Sequence, residues 1–189
     1  MKTLAMLAGL ALAALTTTAN AAEMWRDKTA IFIKGDITND DFEQFKKIVN
    51  RGGGVPRGFP IVIKSEGGSL IDGLAIGGAI RYLQLKTVVV DECYSVCALM
   101  WLAGVKRFAF SDSEIGFHAA YDIETKAASS AGNALVGAYL GKLGFNAMMI
   151  IAMTEASPDS INLLDYTKAN KMGIAMTVLP TQKGKSAAK

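Results

Sequence analysis

The chain has 189 residues, 51% of them hydrophobic, which is enough apolar material for one domain with a sizeable core. The net charge is +3 and the one basic block is the terminal TQKGKSAAK, so no nucleic-acid partner is expected. Two cysteines and a single histidine do not make a zinc ligand set, and neither a metal nor an organic cofactor is expected.

The chain opens MKTLAMLAGLALAALTTTANAAEMW: one basic residue, Lys2, then an apolar run from Leu4 to Leu15, then Ala19-Asn20-Ala21. The last three fit the small-x-small cleavage rule, so residues 1–21 are predicted to be a secretory signal peptide. The run is shorter than the ~20 residues that span a bilayer. A mature chain would begin near Ala22 and, without Lys2, carry a charge of +2. This predicts export to the periplasm with no membrane attachment after cleavage. The domain is expected over residues 22–180, and the Lys-rich end, 181–189, is expected to be disordered.

The segment AIFIKG (Ala30 to Gly35) reads as a strand, and TNDDFEQFKKIVN as a helix with Phe42, Phe45, Ile48 and Val49 on one face. Gly52-Gly53-Gly54 lacks the Lys-Ser/Thr ending of a phosphate loop and reads as a flexible loop. Ile61 to Lys64 is a strand and Ser65 to Gly68 a tight turn. LIDGLAIGGAIRYLQ is a helix expected to bury Leu70, Leu74, Ile80 and Leu83. TVVVDE is a β-branched strand expected to be buried, and SVCALMWLAG a short helix closed by Gly104. KRFAF and EIGFHAAY are strands. Helices follow over Ser130 to Gly144 and Asn146 to Ala156, with Met148, Met149 and Met153 expected in the core. SPDSINLLDYTKANKMGIA adds short turns or helices, and AMTVL a last strand. Strands alternating with helices over short connections predict an α/β domain with a largely parallel sheet.

In such domains the reactive crevice lies beyond the carboxyl ends of the strands. Two turns at such ends carry Gly67-Gly68 and Ser95. Ser95 opens a helix, where unpaired N–H groups favour negative charge. The Val96 N–H suits an oxyanion formed when Ser95 attacks a carbonyl, and Gly67 or Gly68 suits a second donor. A serine needs a base, and His118 is the sole histidine. Read from spacing alone, a serine after a strand and before an apolar helix is usually an N-cap, and a lone histidine between Phe117 and Ala119 usually a structural residue. Cys93 and Cys97, spaced C-x3-C around Ser95, admit either a local disulfide or two buried thiols.

Taken together, KSEGGSLIDGLAI, VVVDECYSVCALMWLAG and KRFAFSDSEIGFHAAYD resemble the proteolytic subunit of the Clp protease and its crotonase-fold relatives. The resemblance runs from about Ala30 to about Ile174, and the leader and flanking cysteines are closest to a secreted branch of that superfamily. It implies a crotonase-like spiral of ββα units with C-terminal helices. It also implies a serine peptidase with Ser95 as nucleophile, His118 as base, and Gly67, Gly68 and Val96 at the oxyanion hole. Peptide or unfolded-protein substrates and self-association follow from the same resemblance. Three positions depart from the family pattern. Glu66 replaces the proline of the Gly-Gly turn, and Cys97 replaces a glycine. Counting back from Lys171-Met172-Gly173-Ile174, the family's aspartate falls at Ile161, between Asp159 and Asp165. Asp159, in the loop ASPDS, is the favoured acid. Without ATP outside the cytoplasm, no ATP-driven unfoldase is expected as a partner. The competing expectation is a non-catalytic periplasmic scaffold that keeps the fold.

Overall fold

The computed structural model describes residues 21–181. The expected leader and tail lie outside the described residues, apart from Ala21 and Thr181. In chain order the elements are β1 (Glu23–Arg26), β2 (Ile31–Lys34), α1 (Asp41–Asn50), β3 (Pro60–Ser65), α2 (Leu70–Tyr82), β4 (Lys86–Tyr94) and α3 (Val96–Leu102). There follow β5 (Arg107–Phe110), β6 (Glu114–Phe117), α4 (Ser130–Lys142), α5 (Ala147–Thr154), β7 (Asn162–Leu163), α6 (Tyr166–Lys171) and β8 (Thr177–Leu179). A single 3-10 turn, Arg51–Gly53, lies in the loop after α1.

The sheet runs β1-β2-β3-β4-β5-β8, with β6 joined to β4 and β7 to β6. All pairings are parallel except β1 with β2 and β6 with β7. This is the expected mixed α/β domain with a mostly parallel sheet. Strand β1 had no counterpart in the sequence reading; EMWR is short, and only Met24 and Arg26 turn away from solvent.

The central strands alternate more than their β-branched composition suggests. Ile31, Ile33, Ile61, Ile63 and Val89 are buried, whereas Phe32, Val62 and Val88 between them are only partly so. Alternation of this kind follows from the two-residue period of a strand covered fully on one face. Strand β4 is therefore one-sided rather than buried throughout.

Helix α2 buries Ile80 as expected, and its innermost strip also runs through two glycines. Gly73, Ile76, Gly77 and Ile80 are its buried residues, while Leu70, Leu74 and Leu83 are only partly covered. The reason is its neighbour α3, whose seven residues are all buried. A Cβ at Gly73 would lie 2.2 Å from a Val96 methyl, so the small face of α2 allows the two helices to meet. Two further expectations are corrected. Helix α3 ends at Leu102 with Ala103, not Gly104, as its C-cap. In α5, Met153 is buried and Met149 packs against the core, but Met148 is 73% exposed.

Gly73→Ala is expected to lower unfolding stability by about 1–3 kcal/mol through overpacking against Val96. Gly78→Ala, where an added Cβ meets nothing within 4 Å, should instead raise it by up to about 1 kcal/mol. Urea unfolding followed by circular dichroism measures both.

Candidate active site

Strand β4 changes neighbours along its length. Thr87, Val88 and Val89 pair with β5, whereas Glu92, Cys93 and Tyr94 pair with β6. On its other edge, Ile63 of β3 pairs with Val89 and Ser65 with Cys93, so two steps of β3 span four of β4. The extra residues form a bulge, with Asp91 at φ 60°, and bend the strand. Lys64 reaches across the bend to Asp91 at 2.8 Å and to Glu92 at 3.2 Å. The ends of β3, β4 and β6 are thereby gathered together, and the Ser95 N–H donates to the Gly116 carbonyl at 3.0 Å.

Ser95 follows β4 with φ 56° and ψ −128°, a conformation that costs a non-glycine residue about 1–3 kcal/mol. Its carbonyl accepts the Ala98 and Leu99 N–H groups, but its hydroxyl makes no capping bond. The capping role open to it in the sequence is therefore not used. Cys93 and Cys97 are joined as a disulfide with their Cα atoms 5.2 Å apart, and both are fully buried. The bridge closes the turn on either side of Ser95.

The Ser65–Gly68 turn presses against this point. Buried Ser65 accepts the Gly67 N–H on its hydroxyl at 3.1 Å. A Cβ at Gly67 (φ 117°) would lie 2.6 Å from the Ser95 Cβ, so glycine is required for this approach. The Ile37 N–H donates to the Gly67 carbonyl and the Ser69 N–H to the Ile37 carbonyl, both at 2.7 Å. In such a parallel bridge the intervening Gly68 turns its own N–H away from Ile37. Of the two glycine donors expected, Gly67 is thus committed to Ser65. Gly68 and Val96 donate no hydrogen bond among the described residues.

His118 follows β6. Its Nδ1–H donates to the Ala119 carbonyl at 2.7 Å, an arrangement that leaves Nε2 as the basic nitrogen. The Tyr121 ring lies beside it, tilted by 40° with centroids 5.5 Å apart. Asp159 makes no hydrogen bond with His118 among the described residues. Its carboxylate accepts the Ser157 hydroxyl at 2.6 Å, and this bond is the main cause that holds its carboxyl below the usual range. It lines a neighbouring cavity with Tyr121, Lys126 and Pro158. Asp165 caps α6 by accepting the Lys168 N–H at 2.7 Å. Ile161, at the position where family spacing puts the acid, extends its side chain over Gly116 of β6. An apolar group stands there.

Gly68, Ser95, Val96 and His118 line one cleft of about 240 Å³, together with Glu66, Leu70, Tyr121 and Ile123. Apart from His118, Glu66 is the only titratable acid or base on its walls besides the Tyr121 phenol. Nearby, the Tyr94 hydroxyl donates to the Glu114 carboxylate. That bond, then burial, then the charges of Glu114, Glu92 and Glu66, push the Tyr94 phenol up to about 12. Glu66 is the one acidic side chain of this group that also lines the cleft. A second cavity of about 250 Å³, between β5, β8 and α6, contains no histidine.

No protein-family model matches the chain, and no curated protein matches it. Among solved structures it is similar to the ClpP protease catalytic domain from Plasmodium falciparum, with a TM-score of 0.61. The match covers 82% of this chain and 87% of that one, at 20% sequence identity. The fold is ClpP-like. The pairing of β3 and β6 with the end of β4 accounts for the order in which the glycine turn, Ser95 and His118 meet at neighbouring strand ends. Two groups at the site were not read from the sequence. The Ala119 carbonyl is main chain and leaves no residue signal. Tyr121 was visible only as an aromatic three residues beyond His118.

The raised Tyr94 value has a signed consequence. The neutral phenol is the form Glu114 favours, so its contribution to stability is intact below the ordinary tyrosine value and is lost as pH rises through about 12. In an ultraviolet titration of phenolate, Tyr94→Phe should remove one group ionising near pH 12, and Glu114→Gln should move that group to lower pH.

Proposed function

We propose that the chain is an exported serine hydrolase acting on peptide or unfolded-protein substrates. Ser95 is the nucleophile, His118 the general base, and the Gly68 and Val96 N–H groups the oxyanion donors. The observation that carries this reading is the convergence of these four residues on one cleft, with the Ser95 hydroxyl uncapped and its backbone strained. Strain of this kind persists only where surrounding structure over-determines it, and it clusters at functional positions.

In this reading His118 Nε2 takes the proton of the Ser95 hydroxyl as its oxygen attacks a carbonyl, and returns it to the departing amine. Oxyanion donors of this kind contribute several kcal/mol in known hydrolases. The tautomer is held by the Ala119 carbonyl instead of a carboxylate, which makes the unit a Ser–His pair. The apolar residues Ile71, Met148 and Ile151, exposed on α2 and α5, support self-association. Export places the protein in the periplasm without an ATP-driven unfoldase, so its substrates are flexible chains. The competing scaffold reading is favoured by one observation: neither Asp159 nor Asp165 accepts a hydrogen bond from His118.

A fluorophosphonate probe separates the two. Wild type should be labelled, Ser95→Ala should not, and His118→Ala should react about 10²-fold more slowly or worse. Asp159→Asn should label within about twofold of wild type, because its carboxylate serves Ser157; a loss comparable to that of His118→Ala would restore it as the acid. Folded wild type that is never labelled supports the scaffold.

A further inference from the structure

Asp41 opens α1 and is only 2% exposed. A buried carboxylate is costly unless donors or a cation meet its charge. Its Oδ2 accepts the Thr38 N–H at 2.7 Å, the Thr38 hydroxyl at 3.2 Å and, more distantly, the Ala22 main-chain N–H at 3.4 Å. No lysine or arginine pairs with Asp41 among the described residues. Ala22 is equally buried, at 2%. Its place is fixed from both sides: Glu23 pairs with Lys34 in β1–β2, and Ala21 bridges to Asp36.

The small-x-small pattern Ala19-Asn20-Ala21 puts the scissile bond between Ala21 and Ala22. Hydrolysis there by a processing peptidase adds water across that amide. The Ala21 carbonyl leaves as a carboxylate on the leader, and the Ala22 nitrogen becomes a primary amine, protonated at neutral pH. That nitrogen is the atom already facing Asp41. We propose that leader removal turns this long amide contact into a buried ion pair between the Ala22 α-ammonium and Asp41, and that the pair locks the glycine turn of the cleft.

The path to the turn is short. Asp41 holds the Thr38 N–H, and the adjoining Ile37 is bonded to both Gly67 and Ser69. Next to Asp41, the Phe42 N–H donates to Asp72 at 3.1 Å, in the first turn of α2. The segment that the ammonium would fix is therefore the one that sets the direction of the Gly68 N–H. The link to the cleft rests on the hydrolase reading above; the ion pair itself rests only on export and cleavage.

The test begins with the full chain expressed for export and the intact mass of its processed product, expected to start at Ala22. A second form is prepared that retains Ala21 and so carries its amine one residue too far out. The Ala22 form should melt about 3–6 °C higher, and Asp41→Asn should abolish the difference. The Ala22 α-amine should also be acylated at least about 10-fold more slowly than that of the Ala21 form. Should Asp41→Asn fail to fold, this amine comparison is made with Asp41 intact and still decides. Equal melting of the two forms, equal acylation rates, or a product beginning elsewhere would overturn the pair. Slower fluorophosphonate labelling of the Ala21 form supports the link to the cleft. A melting difference without labelling of either form supports the ion pair and counts against the hydrolase reading.

Discussion

Everything around Ser95 depends on β4 changing partners half-way along. A strand that stayed with β5 to its end would deliver Ser95 to an ordinary sheet margin. The bulge at Asp91, with Lys64 bound across it, swings the last residues onto β6 instead. That single bend brings the residue after β4 beside the residue after β6, and it lets the turn after β3 close over both. Three separate strand ends then share one cleft.

The cost of that geometry is local strain at Ser95, and several contacts share the task of holding it. The Ser95 N–H is tied to Gly116, the Cys93–Cys97 bridge encloses the turn, and α3 is buried along its whole length. Gly67 contributes by having no side chain: its backbone rests against the Ser95 side chain. These contacts hold the backbone at Ser95, and its hydroxyl makes no capping bond. The His118 ring is fixed from one side by the Ala119 carbonyl and packs against Tyr121. Glu66 is the acidic side chain on the cleft wall, and Lys126 lies over the ring of Tyr121 on the same wall.

Much of this could be read from the chain, for physical reasons that differ by element. The β-branched runs of β2, β3 and β4 and the 3.6-residue periodicity of α1 signal their structure directly. Ser-Glu-Gly-Gly and Ser95 announced themselves because both lie where a strand gives way to a helix. Strand β1 escaped notice because four residues with one buried side chain carry almost no pattern. Leu70, Leu74 and Leu83 are only partly covered because the innermost strip of α2 runs through Gly73, against Val96, and Gly77, against Tyr139. The acid could not be placed because spacing counts residues and not loop path. Asp159 is near in sequence to the family position, yet its loop turns the carboxylate onto Ser157, and Ile161 lies over β6 instead. The partner that His118 has in its place is a main-chain carbonyl, which every residue carries and none advertises.

The central claim is that Ser95, His118, Gly68 and Val96 form one reactive unit. A crystal structure of the protein after reaction with a fluorophosphonate tests it most directly. The account predicts a phosphorus bonded to the Ser95 oxygen, with a phosphoryl oxygen within hydrogen-bond distance of the Gly68 and Val96 N–H groups and His118 Nε2 beside the adduct. An adduct on another residue, or one on Ser95 whose phosphoryl oxygen points away from both N–H groups, would contradict it.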